Sequence, residues 1–170
     1  MTPLKYLTAS ESLQLIAQLN RYDTRDSLLI RLALETGARC SELLALTRQD
    51  YMPEAQAIII KGLKGSRDRV IPILNPETVT RLSRHIKSTL NERLFCISPQ
   101  RFRVIWYHWR PARKKLHALR HTCAVELYQK TKDLKLVQLI LGHKSLTSTQ
   151  VYLDVIYDLD EMRRRMLRVG

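Results

Sequence analysis

The sequence predicts a mainly α-helical domain with one small antiparallel β-sheet, an α+β fold, and three observations carry this. Helix-start signals recur along the chain, each followed by apolar residues at helical spacing. A single stretch, A-I-I-I-K followed by R-V-I-P-I (57–73), is β-branched on both sides of a turn rich in Gly and Lys. The 170 residues, 45% of them apolar, match one ordinary domain able to bury its own core.

In order, Thr8 and Glu11 form a capping box, and Leu13, Ile16, Ala17 and Leu19 continue a helix to about Asn20. Asp23 or Thr24 offers the N-cap of a second helix carrying Leu28, Leu29, Leu32 and Ala33, which stops at Gly37. A short helical run from Ser41 brings Leu43, Leu44 and Leu46 toward the core. The hairpin follows, its tip loaded with Lys61, Lys64, Arg67 and Arg69. Asn75 and Pro76 supply the N-cap and first residue of a helix through about Ile86. R-L-F-C-I (93–97) reads as a further strand, and Ser98-Pro99 starts a helix that Pro111 breaks. In that helix Arg101, Arg103 and Arg110 interleave with Trp106, Tyr107 and Trp109; a DNA-facing helix is one reading, aromatic core anchors with outward arginines the preferred one. Helices follow from about Leu116 to Gln129 and from Asp133 to Leu141, then a short helical piece over 148–153 and an amphipathic terminal segment.

The formal charge of +13 on a folded composition points to a polyanionic partner, because each phosphate neutralised by Lys or Arg releases a counterion. Charge alone does not choose among DNA, RNA and an anionic membrane. Cys40, Cys96 and Cys123 are odd in number and widely spaced, which suits reduced thiols and no zinc site. The first residues lack the apolar core of a secretory signal, and no apolar run approaches bilayer length. The expectation is a cytoplasmic protein.

The chemistry concentrates between His117 and Tyr152. Metal-independent cleavage of a phosphodiester needs fixed cations on the non-bridging oxygens, a nucleophile that forms a stable ester, and a proton for the leaving 5′ oxygen. Arginine suits the first task, since its planar fork stays charged and donates paired hydrogen bonds. Arg39, Lys61, His117, Arg120, His143 and Tyr152 together supply every part. His117 and Arg120 share a helix face. Each has an ordinary explanation when taken alone. Their conjunction, T-G-A-R, a basic hairpin, H-x-x-R, L-G-H and a tyrosine, in that order, does not.

The chain resembles the tyrosine recombinases, or phage integrases, through TGARCSELLALT (36–47), IIIKGLKGSRDRVIPI (58–73), LHALRHTCAVELY (116–128) and LGHKSLTSTQVYLDV (141–155). The resemblance implies the catalytic-domain fold of that family and a recombinase that cleaves and rejoins DNA through a 3′-phosphotyrosine, without metal or other cofactor. It assigns Arg39 and Arg120 to clamping the scissile phosphate, Lys61 to protonating the leaving oxygen, and His117 to assisting proton removal from the nucleophile. It assigns His143 to a non-bridging oxygen and Tyr152 to the attack. Glu42 resembles a structural acid that orients Arg39 or caps its helix. Lys64 is the alternative to Lys61, since the hairpin is lengthened. Lys64, Arg67, Arg69, Arg113 and Lys114 are expected to touch flanking phosphates, which position DNA without reading its sequence.

Double-stranded DNA is the expected partner, with a homotetramer on paired sites, a monomer or weak oligomer otherwise, and no membrane. The terminal segment with Arg163, Arg164 and Arg165 either packs on its own domain or docks on a neighbouring subunit. The first expected helix lies only about thirty residues before Arg39, so a single catalytic domain over 1–170 is expected, without the family's N-terminal DNA-clamping domain. Either an excised catalytic fragment or a short single-domain recombinase fits this, and the monomer is expected to bind DNA weakly and with strong salt dependence. Integration, excision, inversion and resolution all remain open. A type IB topoisomerase and a non-catalytic accessory DNA-binding protein are the alternatives.

Overall fold

In a computed structural model, residues 5–63, 65–145, 149 and 166–167 are described. Seven helices and a three-stranded sheet are found among them: α1 (Ala9–Arg21), α2 (Arg25–Thr36), α3 (Cys40–Leu44), β1 (Tyr51–Met52), β2 (Ala57–Ile60), β3 (Arg69–Pro72), α4 (Pro76–Ser88), α5 (Pro99–Trp109), α6 (Ala118–Thr131) and α7 (Leu134–Leu141). The mainly helical α+β reading therefore holds.

The helix starts follow the local chemistry of the sequence. Thr8 and Glu11 close their capping box, and Thr24, not Asp23, caps α2 by accepting from the Ser27 amide. Asn75, Ser98 and Asp133 accept in the same way at α4, α5 and α7. Arg81 of α4 donates to the carbonyls of Leu19, Asn20 and Tyr22, satisfying orphan acceptors at the end of α1.

α2 is the central helix. Residues from Leu28 to Leu34 are buried on every side, with α1, α3, α4 and α6 packed around them. It ends at Gly37, whose φ of 61° is left-handed; a Cβ there would lie 2.8 Å from Leu141 Cδ2 and 3.1 Å from Cys123 Sγ. Both the backbone and the close approach of α6 and α7 thus call for glycine.

The sheet runs β1-β2-β3, antiparallel throughout, with Tyr51 opposite Ile58 and Ile60 opposite Arg69. The strand expected at 93–97 is not present. Leu94 and Phe95 are both buried, but among the described residues only an isolated bridge, between Arg93 and Thr47, ties the segment to another strand-like stretch, so no ladder forms. The third strand is instead Tyr51–Met52, too short to show a period. Trp106, Phe102, Ile105 and Trp109 are core residues and Arg101 and Arg103 are exposed, in keeping with the two tryptophans as core anchors, whereas Tyr107, expected beside them, is exposed. The piece expected at 148–153 lies outside the described residues except for Thr149, as does nearly all of the terminal segment.

Candidate active site

Arg39, His117 and Arg120 line one concave site of about 190 Å³, together with Cys40, Arg103 and Leu116. Three elements bring them there. Arg39 immediately precedes α3, just beyond the Gly37 turn, and His117 and Arg120 occupy the start of α6.

Arg120 is almost wholly buried, and three acceptors hold it. Its Nη1 donates to Gly37 O at 2.6 Å, and its Nη2 to Leu141 O at 2.9 Å and His143 Nε2 at 2.8 Å. Gly37 caps the C-terminus of α2, and Leu141 is the last residue of α7. The negative ends of two helix dipoles therefore converge on one guanidinium, which offsets its desolvation.

An arginine only donates, so His143 Nε2 accepts. The ring proton then belongs on Nδ1, which donates to Thr149 Oγ1 at 2.9 Å. Burial, reinforced by the charges of Arg120, Arg39 and Arg69, pushes His143 down to about 4. Partial desolvation and the same two active-site arginines lower His117 below its ordinary value, although the residue is exposed at the mouth of the site. Both rings are neutral near pH 7, and a neutral imidazole can accept a proton. His121, one turn beyond His117, meets it edge to face with ring centroids 4.6 Å apart. It is pushed down to about 4, by burial first and the charge of His117 second.

Glu42 is the buried hub of the site. Its carboxylate accepts from the Arg39 amide at 2.8 Å, from Arg39 Nη1 at 3.3 Å, from Arg69 Nη2 at 2.8 Å, and from Ser66 Oγ. It thus both orients Arg39 and caps α3, the two roles expected as alternatives. Burial alone would raise its pKa, but the hydrogen bonds from Arg69, Ser66 and the Arg39 amide outweigh it and hold Glu42 at about 2.

Arg69 corrects an expectation. Instead of reaching flanking phosphates, its side chain is only 6% exposed and is committed to Glu42 and, through Nε, to Ile140 O at 2.7 Å. A Cβ on Gly142 would lie 2.8 Å from Arg69 Nη1, and the Arg67 amide bonds Gly142 O at 3.0 Å. The hairpin is therefore clamped to α3 and to the turn carrying His143. Lys114 also departs from expectation. Its ammonium pairs with Glu11 and donates to Tyr6 O at 2.6 Å, so it joins the chain start to the segment after α5 rather than pointing outward. Arg67 and Arg113 are exposed.

Lys61 does not line the concave site. Its Nζ lies 2.9 Å from Asp50 Oδ1 while the side chain stays 57% exposed. Tyr152 and Lys64 lie outside the described residues. The hub formed by Ser66 and Arg69, and the Asp50 partner of Lys61, were not foreseen. Thr47-x-x-Asp50 was a legible capping-box signal, but nothing local shows which lysine it faces. Among the described residues no group of three His, Cys, Asp or Glu side chains could hold a metal ion, and no helix is long and apolar enough to cross a membrane.

A helical fold with a small sheet, carrying two arginines and two histidines around one cleft, defines the class of tyrosine recombinase catalytic domains. The model of the phage integrase family matches residues 5–158, and the chain belongs to this family. The tyrosine recombinase XerA of Pyrococcus furiosus is 31% identical over 162 residues, covering 87% of this chain and 56% of the relative. XerH of Helicobacter pylori is 31% identical over 167 residues, covering 87% of this chain and 45% of that protein. The chain thus spans about half the length of these relatives. Among solved structures, XerA recombinase superposes with a TM-score of 0.77 at 26% identity over 98% of this chain and 64% of that one. The catalytic domain of bacteriophage HP1 integrase gives a TM-score of 0.69 at 26% identity, covering 96% of this chain and 95% of that domain.

Proposed function

We propose that the chain is the catalytic domain of a site-specific DNA recombinase, which cleaves and rejoins double-stranded DNA through a 3′-phosphotyrosine on Tyr152. The observation that carries this is the convergence of Arg39, His117 and Arg120 on one cleft, with His143 bound to Arg120. Two guanidiniums there hold the non-bridging oxygens as negative charge develops. Neutral His117 takes the phenolic proton as Tyr152 Oη attacks phosphorus. The bond from phosphorus to the 5′ oxygen breaks, and the Lys61 ammonium protonates that oxygen. Rejoining is the reverse, so the ester conserves the bond energy and no nucleotide is consumed. His143 supports the phosphate through Arg120, whose Nη2 its Nε2 holds.

The similarity to tyrosine recombinases, among them XerH site-specific recombinase bound to its difH substrate, supports DNA as the partner. On this reading four copies assemble on paired sites in the cytoplasm, at the nucleoid, and 1–170 acts as one domain.

The test is covalent capture on nicked duplexes with randomised arms. Wild-type protein should yield a denaturation-resistant complex joined at a 3′ phosphate, and Tyr152→Phe should yield none. Absence of any captured DNA with the wild type, or sequence-independent relaxation of plasmids, overturns the recombinase reading.

A further inference from the structure

The pairing of Lys61 with Asp50 is built rather than incidental. Asp50 is buried, and its Oδ2 is spent on the amide and hydroxyl of Thr47 at 2.8 and 2.7 Å. Only Oδ1 is left, and it faces Lys61 Nζ at 2.9 Å. The sheet register explains the approach. Tyr51 of β1 pairs with Ile58 of β2, Asp50 closes the short helical turn Arg48–Asp50 directly before β1, and Lys61 directly follows β2, so the two residues meet at the same end of the β1-β2 pair. An ammonium has three donors; Asp50 takes one and leaves two directed outward.

We infer that Asp50 is a positioning residue for Lys61, fixing the direction of its ammonium for proton delivery to the leaving 5′ oxygen. This rests on the recombinase reading above. Asp50 itself touches no DNA. The proton passes from Lys61 Nζ to the 5′ oxygen as the bond to phosphorus breaks, leaving a neutral amine that is reprotonated by the 5′ hydroxyl on rejoining.

The experiment is single-turnover cleavage of a duplex captured by the wild-type protein, beside the same duplex with sulfur replacing the bridging 5′ oxygen. A thiol has a pKa near 8.5, so a thiolate leaves without a proton. Lys61→Ala should slow cleavage of the oxygen substrate by about 10²- to 10³-fold. Asp50→Asn keeps an acceptor for Thr47 and should slow it by about tenfold. On the sulfur substrate both should return to within about threefold of wild type. In the Lys61→Ala background Asp50→Asn should add less than about twofold, the mark of two residues acting as one. Equal loss on both substrates, wild-type cleavage by Asp50→Asn, or an additive loss in the double variant overturns the inference. Asp50→Ser, which retains a capping oxygen, is held to the same outcomes if Asp50→Asn does not fold. Failure of the wild type to capture DNA at all is a failure of the recombinase reading instead.

Discussion

Arg120 and Arg39 stand on the same cleft and are held in opposite ways. Arg120 is 3% exposed and bonded to two helix C-termini and a histidine, whereas the Arg39 side chain is 31% exposed and has one long hydrogen bond, at 3.3 Å, to Glu42. The difference separates what the fold positions from what substrate must complete. A buried guanidinium needs protein partners to offset desolvation, so its geometry is set by folding. An exposed one keeps its donors for a phosphate and contributes little to stability.

The largest effect is expected where the two halves meet. Glu42→Ala leaves Arg69 buried without its carboxylate and should cost about 3–5 kcal/mol, which for a domain of this size is a fall in Tm of roughly 10 °C. The same carboxylate links stability to pH. Its pKa falls from an ordinary 4.5 to about 2 on folding, so its contribution is present above pH 4.5 and is lost as pH drops through about 2. Chemical denaturation across that window should show wild type losing stability that Glu42→Gln never had. A Glu42→Gln protein with the wild-type acid profile breaks this account.

Arg120→Lys comes next. Lysine cannot reach Gly37 O, Leu141 O and His143 together, so covalent complex formation should fall by about 10²- to 10³-fold. Stability should fall too, because the carbonyls lose their donors. Arg39→Lys should cost about 10²-fold in cleavage but leave Tm within about 2 °C, as expected of an exposed pair. Comparable Tm losses for both variants, read by thermal melting, would erase the distinction between the two arginines.

The same division explains what was legible in the sequence. The Thr8–Glu11 capping box, Gly37 as a stop and the hairpin are local signals, and they appear where the residues place them. Arg39, His117 and Arg120 were legible as a set because the motifs occur in order, and the structure brings them to one cleft. Arg69 and Lys114 were misread for one reason. A basic residue in a basic stretch looks exposed until the acid that claims it is known, and Glu42 and Glu11 lie far away in the chain. The strand expected at 93–97 failed for a related cause: two buried residues between exposed Arg93 and Cys96 suit a strand locally, but a strand needs a partner ladder that lies elsewhere in the chain.

Lys114 and its neighbour Arg113 give the smallest and most direct version of the comparison. They are adjacent in a basic run, yet Lys114 is paired with Glu11 and Arg113 is exposed. Lys114→Ala should cost about 1 kcal/mol of stability and leave the salt dependence of DNA binding unchanged. Arg113→Ala should leave Tm unchanged while the slope of log affinity against log salt falls by about 1, the signature of one fewer phosphate neutralised. Measured together by thermal melting and a salt titration on random duplex, the pair separates structural from DNA-directed charge. The reverse assignment, Tm falling for Arg113→Ala and slope falling for Lys114→Ala, would mean that burial does not decide which cations meet the backbone.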